Sequence, residues 1–300
     1  MTKARWAAAG PLGQGIALRV LSGALFVAMG GCVKALSEAV PLGQIVFFRA
    51  FVAMVPLLVF LWWRAELPSG LRTRRPWGHA VRSLMGAAAM FTSFAAIARL
   101  GVAEAVLLGY LAPLFLTLLA VMVLGERLTV ARAAGLALGF GGVLVLSAPE
   151  ITAGGDWDAR RVTGIGLGMA SAVLTAGALL QIRRLTATES PGAIAFYFAV
   201  VSSLAGLATL PLGWVMPSGA SLALLVAAGL LGGCAHIAMT VSFKLAEASA
   251  LAPFEYLTLI WAVTLDLALF GRPIGPVFLL ALPMLLASAA ITGRGERRRG

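Results

Sequence analysis

The residues able to do chemistry are few in this chain, and most stand inside apolar runs. Glu255 sits between apolar neighbours in Ala250-Leu251-Ala252-Pro253-Phe254-Glu255-Tyr256-Leu257. A carboxylate in such a setting is costly unless paired, and ionisable residues inside membrane segments mark pathways or relays. Thr258, Ala262 and Asp266 follow at +3, +7 and +11, on nearly one helical face. Glu255 can therefore carry a proton, hold a substrate ammonium, or pair with a basic residue of another segment. Lys34 and Arg49 are the deepest cations of the first half. Either can hold a substrate carboxylate. Lys34, close to the end of its run, is also placed to snorkel to the interface, and Arg49 can equally be architectural. His236, with Thr240 one turn on, suits coupling, substrate binding or a plain polar contact between helices. His79 opens a run carrying Ser83, Met90, Phe91 and Phe94, which reads as an aromatic wall or a simple interface.

Pro113 and Pro253 lie inside two further runs. A helical proline removes one backbone hydrogen bond and displaces the carbonyl four residues earlier, here Gly109 and Ser249. Free carbonyls at membrane depth need protein or a water-filled cavity against them. These runs therefore either line a cavity and bend during gating, or carry fixed kinks. Tyr110 and Tyr256, two of only three tyrosines, share them. An aromatic face with a hydroxyl suits an amino acid or an aromatic metabolite; ordinary packing is the alternative. No HExxH, GxSxG, phosphate loop or acidic metal cluster is present, so enzyme chemistry is not indicated. Cys32 and Cys234 stand in apolar runs without a CxxC neighbour. No metal, cofactor or disulfide framework is expected.

The elements that must position these groups follow from hydropathy. Of 300 residues, 60% are hydrophobic and 12% charged, and the mean hydropathy is +0.96. A soluble protein of this size cannot hide that much apolar surface. Ten apolar segments stand out, at about 16–37, 42–63, 78–98, 102–124, 130–148, 162–182, 191–214, 219–243, 248–270 and 274–292. Each is long enough for a membrane helix, and none alternates like a barrel strand. With an even count, both termini share one side. That side takes 17 of the 23 Lys and Arg residues, including Arg19, Arg72, Arg74, Arg75 and Arg82, and the opposite loops take four, Arg99, Arg160, Arg161 and Arg272. The positive-inside rule makes both termini cytoplasmic. The net charge of +11 then belongs to membrane-facing loops, and no nucleic-acid partner is expected. Gly135 and Gly139, and Gly164, Gly168 and Ala172, recur every four residues and read as scaffold for close helix packing.

The chain also repeats. Arg99-Leu100-Gly101-Val102-Ala103 lines up with Lys244-Leu245-Ala246-Glu247-Ala248, and Leu124-Gly125-Glu126-Arg127-Leu128 with Phe270-Gly271-Arg272-Pro273-Ile274, at offsets of 145 to 146. Val40-Pro41-Leu42-Gly43 lines up with Ser190-Pro191-Gly192-Ala193 at 150. The expected organisation is a first five-span repeat over 1–150, an external linker at 151–161, and a second repeat with a basic tail over 162–300. Five being odd, the halves enter the membrane in opposite senses, which suits alternating access.

These tracts resemble the drug/metabolite transporter superfamily, specifically ten-span proteins with two EamA-type domains. The resemblance rests on Lys34, on Pro41 with Arg49, on Ala105 to Pro113, on Leu124-Gly125-Glu126-Arg127-Leu128-Thr129, on the glycine-rich Gly135 to Gly142, and on Ala250 to Leu257. One departure is Arg272, where a Glu usually follows the Gly of the second hairpin. The resemblance implies an all-α protein with ten spans. It also implies a cavity formed by spans 1, 3, 4, 6, 8 and 9, with spans 5 and 10 as peripheral scaffold. The activity it implies is export of amino acids or similar small metabolites from the bacterial inner membrane. The apolar and aromatic character of spans 3, 4, 8 and 9 leans the cargo towards neutral and aromatic amino acids. Sugars, nucleosides, cations or drugs are the other cargo classes; an intramembrane enzyme using His236 and Glu255, or a membrane scaffold, are the other protein classes. Uniport or proton exchange, and monomer or homodimer, stay open.

Overall fold

The computed structural model describes residues 10–124, 130–152, 158–186, 188–246, 251, 254, 257–272 and 275–297. Pro253, Glu255 and Tyr256 lie outside the described residues, as does the Gly125–Thr129 hairpin. The described residues form helices and no strand. In order they are α1 (Gly10–Leu36), α2 (Leu42–Trp63), α3 (Pro76–Arg99), α4 (Val102–Gly109), α5 (Ala112–Leu124), α6 (Val130–Thr152), α7 (Ala159–Leu185), α8 (Pro191–Leu207), α9 (Gly219–Leu245), α10 (Leu257–Phe270) and α11 (Pro276–Arg297). Among the described residues, seven segments are long and apolar enough to cross a membrane, and three shorter apolar helices accompany them.

Local chemistry explains the helix starts. Asp158 accepts the amides of Arg160 and Arg161 at 3.0 and 3.3 Å. Ser190 and Ser218 accept those of Ala193 and Ser221 at 3.0 and 3.1 Å. Each of the three satisfies donors that no helical carbonyl can reach. Pro76 and Pro191 open their helices, where the missing N–H costs nothing. Trp62, Trp63 and Trp77 are exposed where α2 ends and α3 begins, the place for an interfacial aromatic belt.

The fourth apolar run is two helices rather than one bent rod. Its ladder breaks at Tyr110 and Leu111, whose amides turn back to the carbonyls of Leu107 and Leu108. Pro113 has no N–H to offer Gly109, so the break falls just ahead of the proline.

Packing is pairwise. α1 lies along α9, α3 along α7, and α6 along α11, while α2 bridges α8 and α9. Each of the three long pairs carries a serine donating to a carbonyl of its neighbour: Ser22 to Ala235 at 2.9 Å, Ser171 to Ala89 at 3.0 Å and Ser288 to Gly135 at 2.7 Å. Gly206 of α8 presses on the backbone of Phe47, where an added Cβ would lie 2.6 Å from the Phe47 nitrogen. Such contacts let helices associate in lipid, where apolar burial alone gives no preference. Arg19 and Arg82 need correction. The charge count placed both at a membrane surface, yet both are buried within helices. Their apolar neighbours bury the stems, and Phe243 and Phe198 cover the heads at 5.7 and 4.1 Å. The bias becomes 15 against four.

Candidate functional site

Side chains from α1, α2, α3, α8 and α9 converge on one buried cluster. Arg49, 5% exposed, enters from α2. Its Nε lies 3.5 Å from Met29 Sδ of α1, a weak acceptor. Gly232 of α9 makes room for it, since a Cβ there would stand 3.2 Å from that Nε. Arg82, 9% exposed, enters from α3 and lays its guanidinium over the Phe198 ring of α8, with Cζ 4.1 Å from the centroid. Gly86 gives Phe198 its space: a Cβ there would meet the ring at 2.8 Å. His236 of α9 joins the two sides. Its ring stands edge-on to Phe26 at 5.0 Å and to Phe198 at 6.4 Å. The two arginines are close enough for their charges to act on each other and on His236. Ser83 of α3 and Ser202 of α8 carry buried hydroxyls that have no partner among the described residues.

The sequence-predicted residues divide. Arg49 and His236 come together here. Phe94 is buried and Phe91 half-buried in the apolar core beside it. Tyr110 sits at the helix break, packed on the same core. Pro113 is exposed one turn on. Pro253, Glu255 and Tyr256 lie outside the described residues. His79 and Lys34 belong to opposite ends of the bundle. Spans 2 and 7, which the resemblance left out of the cavity, supply Arg49 and Phe198 to the cluster.

His79, 2% exposed, faces Glu189 with Nε2 and Oε2 3.1 Å apart, and its ring lies tilted against that of Tyr197, centroids 4.7 Å apart. The other Glu189 oxygen accepts the Arg74 amide at 3.0 Å. Burial pushes the Glu189 carboxyl up, but the hydrogen bonds from His79, the Arg74 amide and Thr73, with the charge of His79, outweigh it. The carboxyl stays below its ordinary range. At the far end, Lys34 donates to the Ala98 carbonyl at 2.6 Å. Asp266 accepts the amides of Val102 and Ala103 at 3.2 and 2.7 Å, capping α4. Gly101, with φ of +132°, makes the turn between α3 and α4, and Arg272 donates to the Leu100 carbonyl. Arg161 pairs with Glu104 at 2.9 Å. A cavity of about 430 Å³ opens at this end, lined by Glu104, Arg161, Asp266 and Arg272. Its charges already serve one another and the backbone.

Sequence reasoning missed Arg82 and Phe198. The helical period held a signal for the first: Arg82, Gly86, Met90 and Phe94 fall at successive turns of one face.

A bundle of apolar helices with buried cations and aromatic rings at its centre is the architecture of a polytopic membrane transporter. Residues 13–148 match the EamA-like transporter family. The chain is 31% identical over 296 residues to a riboflavin transporter of Rhizobium johnstonii, covering 94% of each. It is 32% identical over 251 residues to a pseudopaline exporter of Pseudomonas aeruginosa, covering 83% of this chain and 85% of that one. To an S-adenosylmethionine uptake transporter of Rickettsia prowazekii it is 27% identical over 217 residues, covering 72% and 71%. A solved crystal structure superposes with a TM-score of 0.64 at 24% identity, covering 94% and 97%, and bears on the fold alone. The chain belongs to the EamA-like family of drug/metabolite transporters, whose members here carry solutes rather than catalyse reactions. Their cargoes differ, and so does the direction of movement.

Proposed function

We propose that this protein exports small metabolites of the amino-acid class, those with aromatic or apolar side chains fitting best, across the bacterial inner membrane by alternating access. One observation carries the reading. The buried cluster is built from both halves of the chain, with Arg49, Arg82 and Phe26 from the first and Phe198 and His236 from the second. A site at the meeting of two halves is the one place that rocking motion exposes alternately to each side. The pairing of helices supports two inverted five-span repeats within ten spans: α1 on α9 has its counterpart in α7 on α3. The bridging serines match as well, since Ser22 and Ser171 are 149 residues apart and their acceptors Ala89 and Ala235 are 146 apart. The excess of basic residues supports a cytoplasmic His79–Glu189 end, with both termini on that side.

The experiment is efflux from liposomes holding the purified protein and a panel of labelled amino acids, with and without a pH gradient. Efflux of aromatic or apolar members is expected. A gradient that accelerates it assigns proton exchange; indifference to the gradient assigns uniport. No efflux of any amino acid would sink the cargo class and leave the family intact.

A further inference from the structure

We infer that Arg49, Arg82 and His236 form an anion subsite, and that the cargo carries a carboxylate, a net negative charge and an aromatic body. The inference rests on the transport reading above and narrows its cargo: within that class, aromatic members with a net negative charge bind best, and net-neutral aromatic amino acids bind less tightly. Two guanidiniums are held inside the bundle, and among the described residues neither meets a carboxylate. Arg49 Nε finds only the Met29 thioether. Phe198 covers one face of Arg82, but the edge of its fork is bare: Nε and Nη1 are buried without an acceptor. Both residues are buried in the bundle, Arg49 at 5% and Arg82 at 9% exposure. Uncompensated buried cations are strongly unfavourable, and a bound anion offsets that cost. The guanidinium fork takes a carboxylate edge-on with two parallel hydrogen bonds. Ser83, neighbouring Arg82 in sequence, and Ser202, a turn beyond Phe198, are buried hydroxyls with no partner among the described residues.

The repeat accounts for the mixture of ring and cation in the subsite. Gly86 and Gly232 are 146 residues apart and do a similar thing in the two halves: each clears space for a large side chain of a neighbouring span, Gly232 for Met29 of α1 as well. Across Gly86 lies Phe198; across Gly232 lies Arg49. Those two occupants are themselves 149 residues apart. Equivalent positions therefore hold a ring in one half and a cation in the other. With Phe26 and His236 beside them, and Arg82 over the Phe198 ring, rings and cations stand side by side, and the arrangement fits a molecule that carries both an aromatic body and an anion. A monoanion offsets one of the two cations, a zwitterion brings its own ammonium and offsets neither in net charge, and an organic cation is repelled.

Three probes share a phenyl ring and differ in charge: 3-phenylpropanoate, phenylalanine and phenethylamine. Thermal protection of the purified full-length protein at pH 7 gives a half-saturating concentration for each. We expect 3-phenylpropanoate to act at about a tenfold lower concentration than phenylalanine, and phenethylamine not to protect. Arg49→Gln and Arg82→Gln should each abolish the preference. Where either fails to fold, Ser202→Ala serves, because that hydroxyl has no partner to lose; it should weaken 3-phenylpropanoate and leave unliganded stability unchanged. Equal or tighter binding of phenylalanine, protection by phenethylamine, or no protection by 3-phenylpropanoate would each overturn the inference. The transport reading fails separately, through absent efflux of the amino-acid panel.

Discussion

Ser22 Oγ donates to the Ala235 carbonyl at 2.9 Å, tying α1 to α9. Ser171 Oγ does the same to Ala89 at 3.0 Å, tying α7 to α3. Interhelical hydrogen bonds in membrane bundles contribute about 0.6 kcal/mol on average. Ser22→Ala and Ser171→Ala should therefore each lower stability by roughly that much. They lie on different helix pairs, so the double variant should show the sum. Unfolding of the detergent-solubilised protein by steric trapping measures all three. A cost above about 2 kcal/mol at one serine and none at the other would show that the two bonds are not equivalent supports.

His79 and Glu189 meet 110 residues apart in sequence and join the start of α3 to the loop before α8. Glu189→Ala strands the His79 ring and the Arg74 amide, at a cost of about 1–3 kcal/mol. The pH dependence follows from the lowered carboxyl pKa. A depressed carboxylate stabilises the fold fully above its unfolded value, about 4.3, and the contribution is lost as pH falls through the lower folded value. Wild-type stability should thus lose this term only below about pH 4. Glu189→Gln should lack that acid-side loss. Melting temperature against pH for the two proteins checks both statements.

Asp266 of α10 holds the first amides of α4, and Arg272, six residues on, holds the Leu100 carbonyl just before them. Loss of a helix cap costs about 1–2 kcal/mol, so Asp266→Ala should be destabilising by that amount. Arg272→Ala should cost less alone. The double variant should cost less than the sum, because both side chains brace one turn. Strict additivity in thermal unfolding would mean that the two act independently.

Much of the helical layout was legible in the sequence because lipid demands continuous apolar runs. Breaks within runs were harder: the Pro113 signal was visible, but the ladder parts at Tyr110 and Leu111, which only the local hydrogen bonds decide. The site was legible in part. Arg49 and His236 stood out as polar groups within long apolar tracts. Arg82 did not, because it lies seven residues into α3 near three loop arginines, where a cation reads as interfacial. Phe198 carries no signal at all in so apolar a chain; its role comes from lying across Gly86, a relation between helices. His79 was noticed, but its partner was not. Glu189 follows a helix end, the ordinary place for a solvated carboxylate, and only tertiary packing buries it.

Two glycines one turn apart on α9 separate site from scaffold. A Cβ on Gly229 would stand 2.5 Å from the Val52 Cβ and 3.1 Å from the Phe48 carbonyl oxygen. One neighbour is backbone and the other is the root of a stiff side chain, so neither can yield. Gly229→Ala should force α2 from α9 and cost about 1–3 kcal/mol, the usual penalty of overpacking. A Cβ on Gly232 would instead meet the Met29 sulfur at 2.8 Å and Arg49 Nε at 3.2 Å. Both are far ends of flexible chains, and both can move. Gly232→Ala should therefore fold with nearly wild-type stability while displacing the Arg49 head. Its effect belongs in transport: KM for the exported solute should rise roughly tenfold, about 1.4 kcal/mol of lost binding, with little change in maximal rate. Melting temperature and efflux kinetics on the two variants give opposite patterns if the cluster binds cargo. If Gly232→Ala transports normally, the Arg49 head does not touch the solute.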